Sequence, residues 1–190
     1  LRCAEALRKR GYDGRLWLVG DEAHKPYDRP PLSKQLLTGE WEVGRVFFRQ
    51  KEGFDDLRLE LLLGRRATAL DPRARTVAIS GGGSLDYDGV VIATGATPRR
   101  LAATGTSATA DGTRAELAGV HVLRTLDDAL ALRAELQRRP RVLVVGAGFI
   151  GLEVASSLRK LDLEVTVVAA EAAPLSRNLH PLVGPSICVT

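Results

Sequence analysis

Three glycines stand in the order Gly146-x-Gly148-x-x-Gly151, a spacing that can bring peptide N–H groups close to a phosphate. The first glycine permits a tight turn, the second lets the backbone approach a pyrophosphate, and the third lets a helix pack closely on a strand. The amides at the start of the following helix then face the phosphates. The spacing therefore predicts a dinucleotide-binding turn, and a glycine turn that binds no nucleotide is the alternative.

An acidic residue about 20 positions after such a turn is expected to bind the 2′-hydroxyl of the adenosine ribose. Glu171 lies at that distance from Gly151, whereas Ala169 and Ala170 occupy the end of the predicted strand. We therefore expect Glu171 to bind the ribose, which favours NADH over NADPH.

An internal repeat relates the start of the chain to the helix that follows the glycine turn. Ala4-x-x-Leu7-Arg8-Lys9 resembles Ala155-x-x-Leu158-Arg159-Lys160. Carried across this repeat, the glycines of an earlier dinucleotide turn would fall before Leu1, so we expect the chain to be truncated at its N-terminus. Asp21 or Glu22 would then be the ribose acid of a first dinucleotide site, and ordinary solvated acids at a strand end are the alternative.

Two dinucleotide sites on one chain indicate a flavin and a nicotinamide, because hydride passes between these cofactors without a protein nucleophile. The other reactive residue types agree with this interpretation. His24, His121 and His180 are dispersed and form no hydrolytic triad motif. Cys3 and Cys188 lack the spacing of a redox pair or of a zinc site.

The elements that must position these turns alternate between helices and strands. A Thr125-Leu-Asp-Asp128 capping motif predicts the start of one helix, and Gly81-Gly-Gly-Ser84 lies between strands, where a hairpin turn is favoured over a phosphate site. Predicted helices cover residues 4–10, 31–37 and 152–160, and a further predicted helix begins after Thr125, includes Leu136 and ends before Pro140. Predicted strands cover residues 15–19, 59–63, 67–70, 76–80, 89–94, 141–145 and 163–168.

Composition excludes several classes of protein. With 190 residues, of which 45% are hydrophobic and 26% charged, the chain is expected to fold into one or two domains with true cores. The longest apolar run, residues 142–152, is shorter than the ~20 residues of a membrane helix, and no export signal is apparent, so we expect a cytoplasmic protein. The 27 Lys and Arg are scattered, which disfavours nucleic acid, although their excess over 23 Asp and Glu suits an acidic protein partner.

Several motifs in this order resemble the FAD-dependent ferredoxin reductases that serve rubredoxin, putidaredoxin and aromatic-ring dioxygenase systems. The resemblance covers essentially all of the chain, and its most specific part is the Pro-Pro-Leu-Ser-Lys sequence. The motifs are Val19-Gly-Asp-Glu22, Pro26-Tyr-Asp-Arg-Pro-Pro-Leu-Ser-Lys34, Tyr87-Asp88, Ala93-Thr-Gly95, Leu123-Arg-Thr125 and Gly146-x-Gly-x-Ile-Gly-Leu-Glu153.

The resemblance implies which residues bind each cofactor. FAD would contact Asp21 at its adenosine ribose and the backbone of Ala67 at its adenine. The other implied FAD residues are Arg29 and Lys34 on the flavin side, Thr94 and Gly95 after the last strand, and Arg124. NAD(P)H would lie over the Gly146 to Gly151 turn, which includes Ile150. Lys34 and Glu153 would lie near the flavin and nicotinamide rings as the catalytic residues, where a positive charge stabilises anionic reduced flavin.

The resemblance also implies an activity. Nicotinamide C4 would deliver hydride to flavin N5, and reduced flavin would pass single electrons to a ferredoxin- or rubredoxin-type acceptor. The alternatives are an NADH oxidase, a disulfide or peroxide reductase, the flavin part of nitrite reductase, and an inactive nucleotide-binding fragment. A disulfide reductase requires a reactive cysteine beside the flavin, and Gln35, Leu36 and Leu37 follow Lys34 instead.

The implied fold is α/β, with two incomplete Rossmann-like domains. Residues 1–119 would form part of an FAD-binding domain that carries a small antiparallel β-meander, and residues 120–190 would begin an NAD(P)-binding domain, with residues 102–115 as the connection. Relative to the family the chain lacks the first glycine turn, ends early and has Ala169 where many relatives have the acidic ribose ligand. A fragment of this kind is expected to bind neither cofactor well.

Overall fold

A computed structural model describes residues 1–48, 53–100, 118–176 and 179. The chain divides into two compact units, which are considered separately. The first unit comprises Leu1–Asp28 and Phe47–Ala96, and the second comprises Arg29–Val46 and Thr97–Thr190. The predicted connection at residues 102–115 lies outside the described residues, as do His180 and Cys188, and the division into domains at residue 119 stays a prediction.

A helix and a parallel strand pair open the first unit. Helix α1 (Arg2–Lys9) leads to strand β1 (Leu16–Gly20), which pairs in parallel with β2 (Leu59–Leu63). Parallel strands require a crossover, so this pairing agrees with the expected Rossmann-like arrangement. The helix is anchored by Arg8, whose guanidinium donates to the carbonyl oxygen of Leu57 at 2.7 Å.

An antiparallel meander forms the rest of the sheet structure in the first unit. Strands β3 (Ala67–Asp71), β4 (Thr76–Ile79) and β5 (Ser84–Asp86) pair in that order. Gly81, Gly82 and Gly83 all have positive φ between β4 and β5, which confirms the predicted hairpin turn. Strand β5 was absent from the sequence prediction because its three residues are too few to show an alternating pattern.

The predicted strand at residues 89–94 is wrong. Within the described residues this segment pairs with no strand, and the side chains of Val91 and Ile92 are 68% and 69% exposed. An apolar β-branched sequence becomes a strand only where a neighbouring strand completes its hydrogen bonds. The described part of the first unit supplies no such neighbour.

A strand–helix–strand unit forms the centre of the second unit. Strand β6 (Val142–Val145) is followed by α4 (Phe149–Lys160) and then by β7 (Val165–Val168), which pairs with β6 in parallel. This crossover confirms the predicted strand, turn, helix and strand. The helix begins at Phe149, earlier than predicted, because Gly151 is tolerated within its first turn.

Two more helices share a core with α4. The predicted helix at residues 31–37 is divided at Lys34 into a 3₁₀ turn, Pro30–Ser33, and α2 (Gln35–Thr38). Helix α3 (Leu126–Leu136) begins with the predicted capping box, in which Thr125 and Asp128 exchange side-chain and backbone hydrogen bonds. The shared core consists of Leu37, Leu136, Val154, Leu158 and Leu163.

Across the residues described, none of the helices has the length and apolar character needed to cross a bilayer.

Candidate functional site

The glycine turn has a geometry suited to a pyrophosphate. Gly146 has φ +113°, which only glycine adopts readily, and Gly148 is the N-cap of α4 with open space where a Cβ would stand. A Cβ on Gly151 would overlap the carbonyl oxygen of Gly146 and lie 3.5 Å from Cγ1 of Val144. The three glycines thus allow the tight turn, the backbone approach and the close helix–strand contact, so the residues present fit a dinucleotide.

Backbone hydrogen bonds hold this turn at the carboxyl ends of the strands. The amide of Gly146 donates to Val168 at 2.7 Å, and the amide of Leu175 donates to Ala147 at 2.9 Å. The first N–H groups of an α-helix have no acceptor within the helix, so those of the first turn of α4 are available to an anion. Ile150 is 53% exposed in that turn.

Glu171 follows β7 by three residues and is partly buried. It lies in a bend that begins at Ala170. Its role as the ribose ligand stays a prediction.

A charge pair joins Lys34, at the start of α2, to Glu153 on the helix that follows the glycine turn. The Lys34 ammonium is 2.7 Å from Oε2 of Glu153, and the two side chains are 37% and 39% exposed. The hydroxyl of Ser33 donates to the same Oε2 at 2.5 Å. The hydrogen bonds from Lys34 and then Ser33 lower the pKa of Glu153 below its ordinary value, against an opposing effect of desolvation. Glu153 is therefore a carboxylate at neutral pH.

A cavity of about 330 Å³ opens beside this charge pair. Its size is at the lower end for small-molecule pockets. Both members of the pair line it, together with apolar side chains and a second lysine; the lining residues are Lys34, Phe149, Leu152, Glu153, Ser156, Ser157, Lys160 and Leu175. A slightly larger cavity, about 370 Å³, lies at the opposite ends of β6 and β7, away from every predicted site residue.

Two further predicted residues meet within the second unit. The guanidinium of Arg29 donates to the carbonyl oxygen of Arg124 at 2.6 Å. The amide of Arg124 donates to Asp128, which belongs to the capping box of α3. The start of α3 thus fixes the backbone that Arg29 contacts.

In the first unit, the structure distinguishes the two candidate acids after β1. Glu22 accepts a hydrogen bond from the hydroxyl of Tyr27 at 2.5 Å. Asp21 is 57% exposed and lies 3.2 Å from the guanidinium of Arg66, the residue before β3. Ala67, predicted at the adenine, opens β3 directly after Arg66. Of the two acids, Asp21 is the more accessible to a ligand.

Thr94 and Gly95 lie in an exposed segment of the first unit that belongs to no strand. Their predicted contact with FAD is untested.

Sequence reasoning missed two buried serines. Ser33 and Ser157 are each almost fully buried, and the hydroxyl of Ser157 donates to the carbonyl oxygen of Ser33 at 2.6 Å. Ser33 belongs to the Pro-Pro-Leu-Ser-Lys motif and could have been noticed there. Ser157 has no sequence signal, because its partner lies 124 positions away.

Comparison with known proteins places these features in context. The chain matches the family described as pyridine nucleotide-disulphide oxidoreductase over residues 1–185. It is 41% identical over 176 residues to the biphenyl dioxygenase system ferredoxin–NAD(+) reductase component of Paraburkholderia xenovorans (strain LB400), a match that covers 93% of this chain and 41% of that protein. Rhodocoxin reductase of Rhodococcus erythropolis is 40% identical over 176 residues, covering 93% of this chain and 39% of that protein.

Solved structures give the same result. The chain superimposes on the reductase in the crystal structure of the covalent putidaredoxin reductase–putidaredoxin complex with a TM-score of 0.84 and 36% identity, covering 96% of this chain and 42% of that one. The predicted α/β fold class and the resemblance to ferredoxin reductases are confirmed. The chain spans less than half the length of these relatives. Its match along nearly the whole sequence shows that it belongs to the pyridine nucleotide-disulphide oxidoreductase family.

Proposed function

We propose that this chain is part of an FAD-dependent reductase that takes hydride from NAD(P)H and delivers single electrons to a ferredoxin- or rubredoxin-type protein. The observation that carries the proposal is the ion pair between Lys34 and Glu153, because Glu153 lies on α4, the helix that begins at the Gly146–Gly151 turn. A dinucleotide turn and a fixed positive charge are what a hydride-transfer site requires. The names of the relatives support the same reaction class.

Within the second unit each residue has a simple role. The amides at the start of α4, with Gly146, Gly148, Ile150 and Gly151, bind the pyrophosphate of NAD(P)H, and Glu171 binds its ribose. Bound FAD supplies the exchange of one hydride for two single electrons. Lys34 stabilises negative charge on the flavin side, and Glu153 holds the Lys34 ammonium in place.

The remaining predicted contacts concern FAD. In the first unit, Asp21 binds the adenosine ribose and the backbone of Ala67 contacts the adenine. Thr94 and Gly95 also contact FAD. Asp21 is supported by its exposure and by its position at the end of β1. In the second unit, Arg29 and Arg124 contact FAD, which their mutual hydrogen bond supports.

The electron acceptor and the location belong to the same proposal. A formal net charge of +4 suits an acidic iron–sulfur protein, because opposite charge steers association. The reaction takes place in the cytoplasm with NADH as the preferred donor. The preference for NADH rests on Glu171 and on the NAD(+) reductase relatives.

The test uses the product of the complete gene, purified without added cofactor. We expect a yellow protein that absorbs at about 450 nm and is bleached by NADH under anaerobic conditions. Cytochrome c should be reduced rapidly only after a ferredoxin or rubredoxin is added. A colourless protein that still binds NADH would contradict the proposal. Rapid oxygen consumption without any iron–sulfur protein would assign an NADH oxidase instead.

A further inference from the structure

Two buried hydroxyls connect the Pro-Pro-Leu-Ser-Lys segment to α4. Ser157 and Ser33 are 4% and 5% exposed, and the Ser157 hydroxyl donates to the backbone carbonyl oxygen of Ser33 at 2.6 Å. The hydroxyl of Ser33 donates in turn to Oε2 of Glu153. We call Ser33 and Ser157 the serine pair.

The hydrogen bond from Ser157 acts on the peptide group that begins Lys34. A carbonyl oxygen belongs to the same rigid plane as the next residue's nitrogen, so fixing the oxygen of Ser33 orients the Lys34 backbone. That backbone also marks the change from the 3₁₀ turn to α2. Ser157 therefore sets the direction in which the Lys34 side chain leaves the chain.

The hydrogen bond from Ser33 acts on the partner of Lys34. Oε2 of Glu153 accepts both the Ser33 hydroxyl at 2.5 Å and the Lys34 ammonium at 2.7 Å. A lysine side chain is long and has many rotamers, and a half-exposed ion pair by itself restrains it little. The buried serine hydroxyl gives the carboxylate a fixed orientation that the ion pair alone does not provide.

We propose that Ser33 and Ser157 are positioning residues, which hold the Lys34 ammonium and the Glu153 carboxylate in the geometry used for hydride transfer. Ser157 orients the Lys34 backbone, and Ser33 orients the Glu153 carboxylate. This inference rests on the proposed function and adds two residues that act through others and do not themselves contact the cofactors.

A purely structural role is the competing explanation, because buried hydroxyls that keep their hydrogen bonds also stabilise a fold. The variants that separate the two explanations are Ser33→Ala and Ser157→Ala. Thr38→Val is the matched control, because it removes a hydroxyl of α2 that donates to the carbonyl oxygen of Gln35 at 3.2 Å, away from the serine pair. Ser157→Thr keeps the hydroxyl and serves as the rescue variant. If Ser157→Ala does not fold, Ser33→Ala carries the test.

The first measurement is anaerobic stopped-flow reduction of the flavin-loaded protein by NADH, with the complete gene product. We expect Ser33→Ala and Ser157→Ala to lower the limiting rate about tenfold with little change in the NADH concentration at half-maximal rate, because alignment is lost and binding is not. Thr38→Val should react at the wild-type rate, and Ser157→Thr should recover most of the rate. Wild-type rates in both alanine variants would overturn the proposal.

The second measurement does not depend on activity. Carboxyl ¹³C NMR of glutamate-labelled protein follows the titration of Glu153, whose charged neighbours in the cavity are Lys34 and Lys160. The Ser33 hydrogen bond helps to lower the pKa of Glu153, so Ser33→Ala should raise it toward its ordinary value, and Thr38→Val should not. An unchanged titration in Ser33→Ala would refute the role of Ser33.

The two proposals fail in different ways. If the wild-type protein holds no flavin or is not reduced by NADH, the proposed function fails while the Glu153 titration still tests the serine pair. If the wild type is reduced normally and both alanine variants match it, the positioning role fails and the proposed function stands.

Discussion

Two neighbouring glycines should respond in opposite ways to the same substitution. An alanine Cβ at Gly151 would overlap the backbone oxygen of Gly146, which has no flexible end that can move aside. An alanine Cβ at Gly148 would meet no atom within 4 Å, and Gly148 has φ −81°, which alanine adopts freely. Gly151→Ala is therefore expected to damage folding, and Gly148→Ala is expected to damage binding.

The magnitudes follow from the two environments. Overpacking costs about 1–3 kcal/mol and a backbone clash lies at the upper end, so after a gain of about 1 kcal/mol in helix propensity Gly151→Ala should lose ~2 kcal/mol. That loss corresponds to a fall in melting temperature of about 4–8 °C for a chain of this size. At Gly148, alanine is a weaker N-cap than glycine, which lowers stability, but it also lowers the entropy of the unfolded chain, which raises stability. The free energy of unfolding should therefore change by less than ~1 kcal/mol.

The affinity for NADH should show the reverse order, with the larger loss in Gly148→Ala. In the proposed binding mode, a methyl group at Gly148 would occupy the open space through which the pyrophosphate approaches the amides of α4. Losing one hydrogen bond to a charged phosphate costs about 1.5–3 kcal/mol, which raises the dissociation constant for NADH about 10- to 100-fold. Thermal unfolding and fluorescence titration with NADH measure the two effects. Wild-type affinity in Gly148→Ala, or a wild-type melting temperature in Gly151→Ala, would refute the assignment of these roles.

Three further outcomes are expected. Lys34→Ala should slow the reduction of bound flavin by NADH by roughly tenfold or more. The melting temperature should change by only a few degrees, because an exposed ion pair contributes about 1 kcal/mol or less to stability. Stopped-flow spectroscopy measures the rate and calorimetry measures the melting temperature, and an unchanged rate would remove Lys34 from the mechanism. The pKa of Glu153 is lowered in the folded state, so its carboxylate stabilises the fold above its ordinary pKa of 4.5, and this contribution is lost as the pH falls through the lower folded value. The stability advantage of wild type over Glu153→Gln, measured by urea unfolding, should therefore be constant near neutral pH and shrink in acid. An advantage that grows in acid would contradict this direction of the pKa shift. Thr125→Ala removes one half of the capping box of α3 and should cost about 1 kcal/mol, measured by the same urea unfolding. Thr76→Ala, at a half-buried position on the central strand β4 of the meander, is the comparison that tests whether the loss of a threonine outside a helix cap has the same effect.

Local patterns predicted much of the second unit. The glycine spacing, the apolar runs on each side of it and the Thr125 capping motif all depend on residues that are close in sequence, and each produced the predicted element. Turn chemistry is also local, which is why the Gly81–Gly83 hairpin was predicted correctly. Errors appeared where pairing decided the outcome, as at residues 89–94, whose composition favours a strand that has no partner in the described residues.

The sequence by itself determined the dinucleotide turn, the crossover that carries it and the family resemblance, because these depend on short-range spacing. Only the tertiary structure showed that the Pro-Pro-Leu-Ser-Lys segment packs with α4, so that Lys34 meets Glu153 and Ser33 meets Ser157. Contacts between residues more than a hundred positions apart depend on how helices pack around a common core. No periodicity or spacing along the chain records that packing.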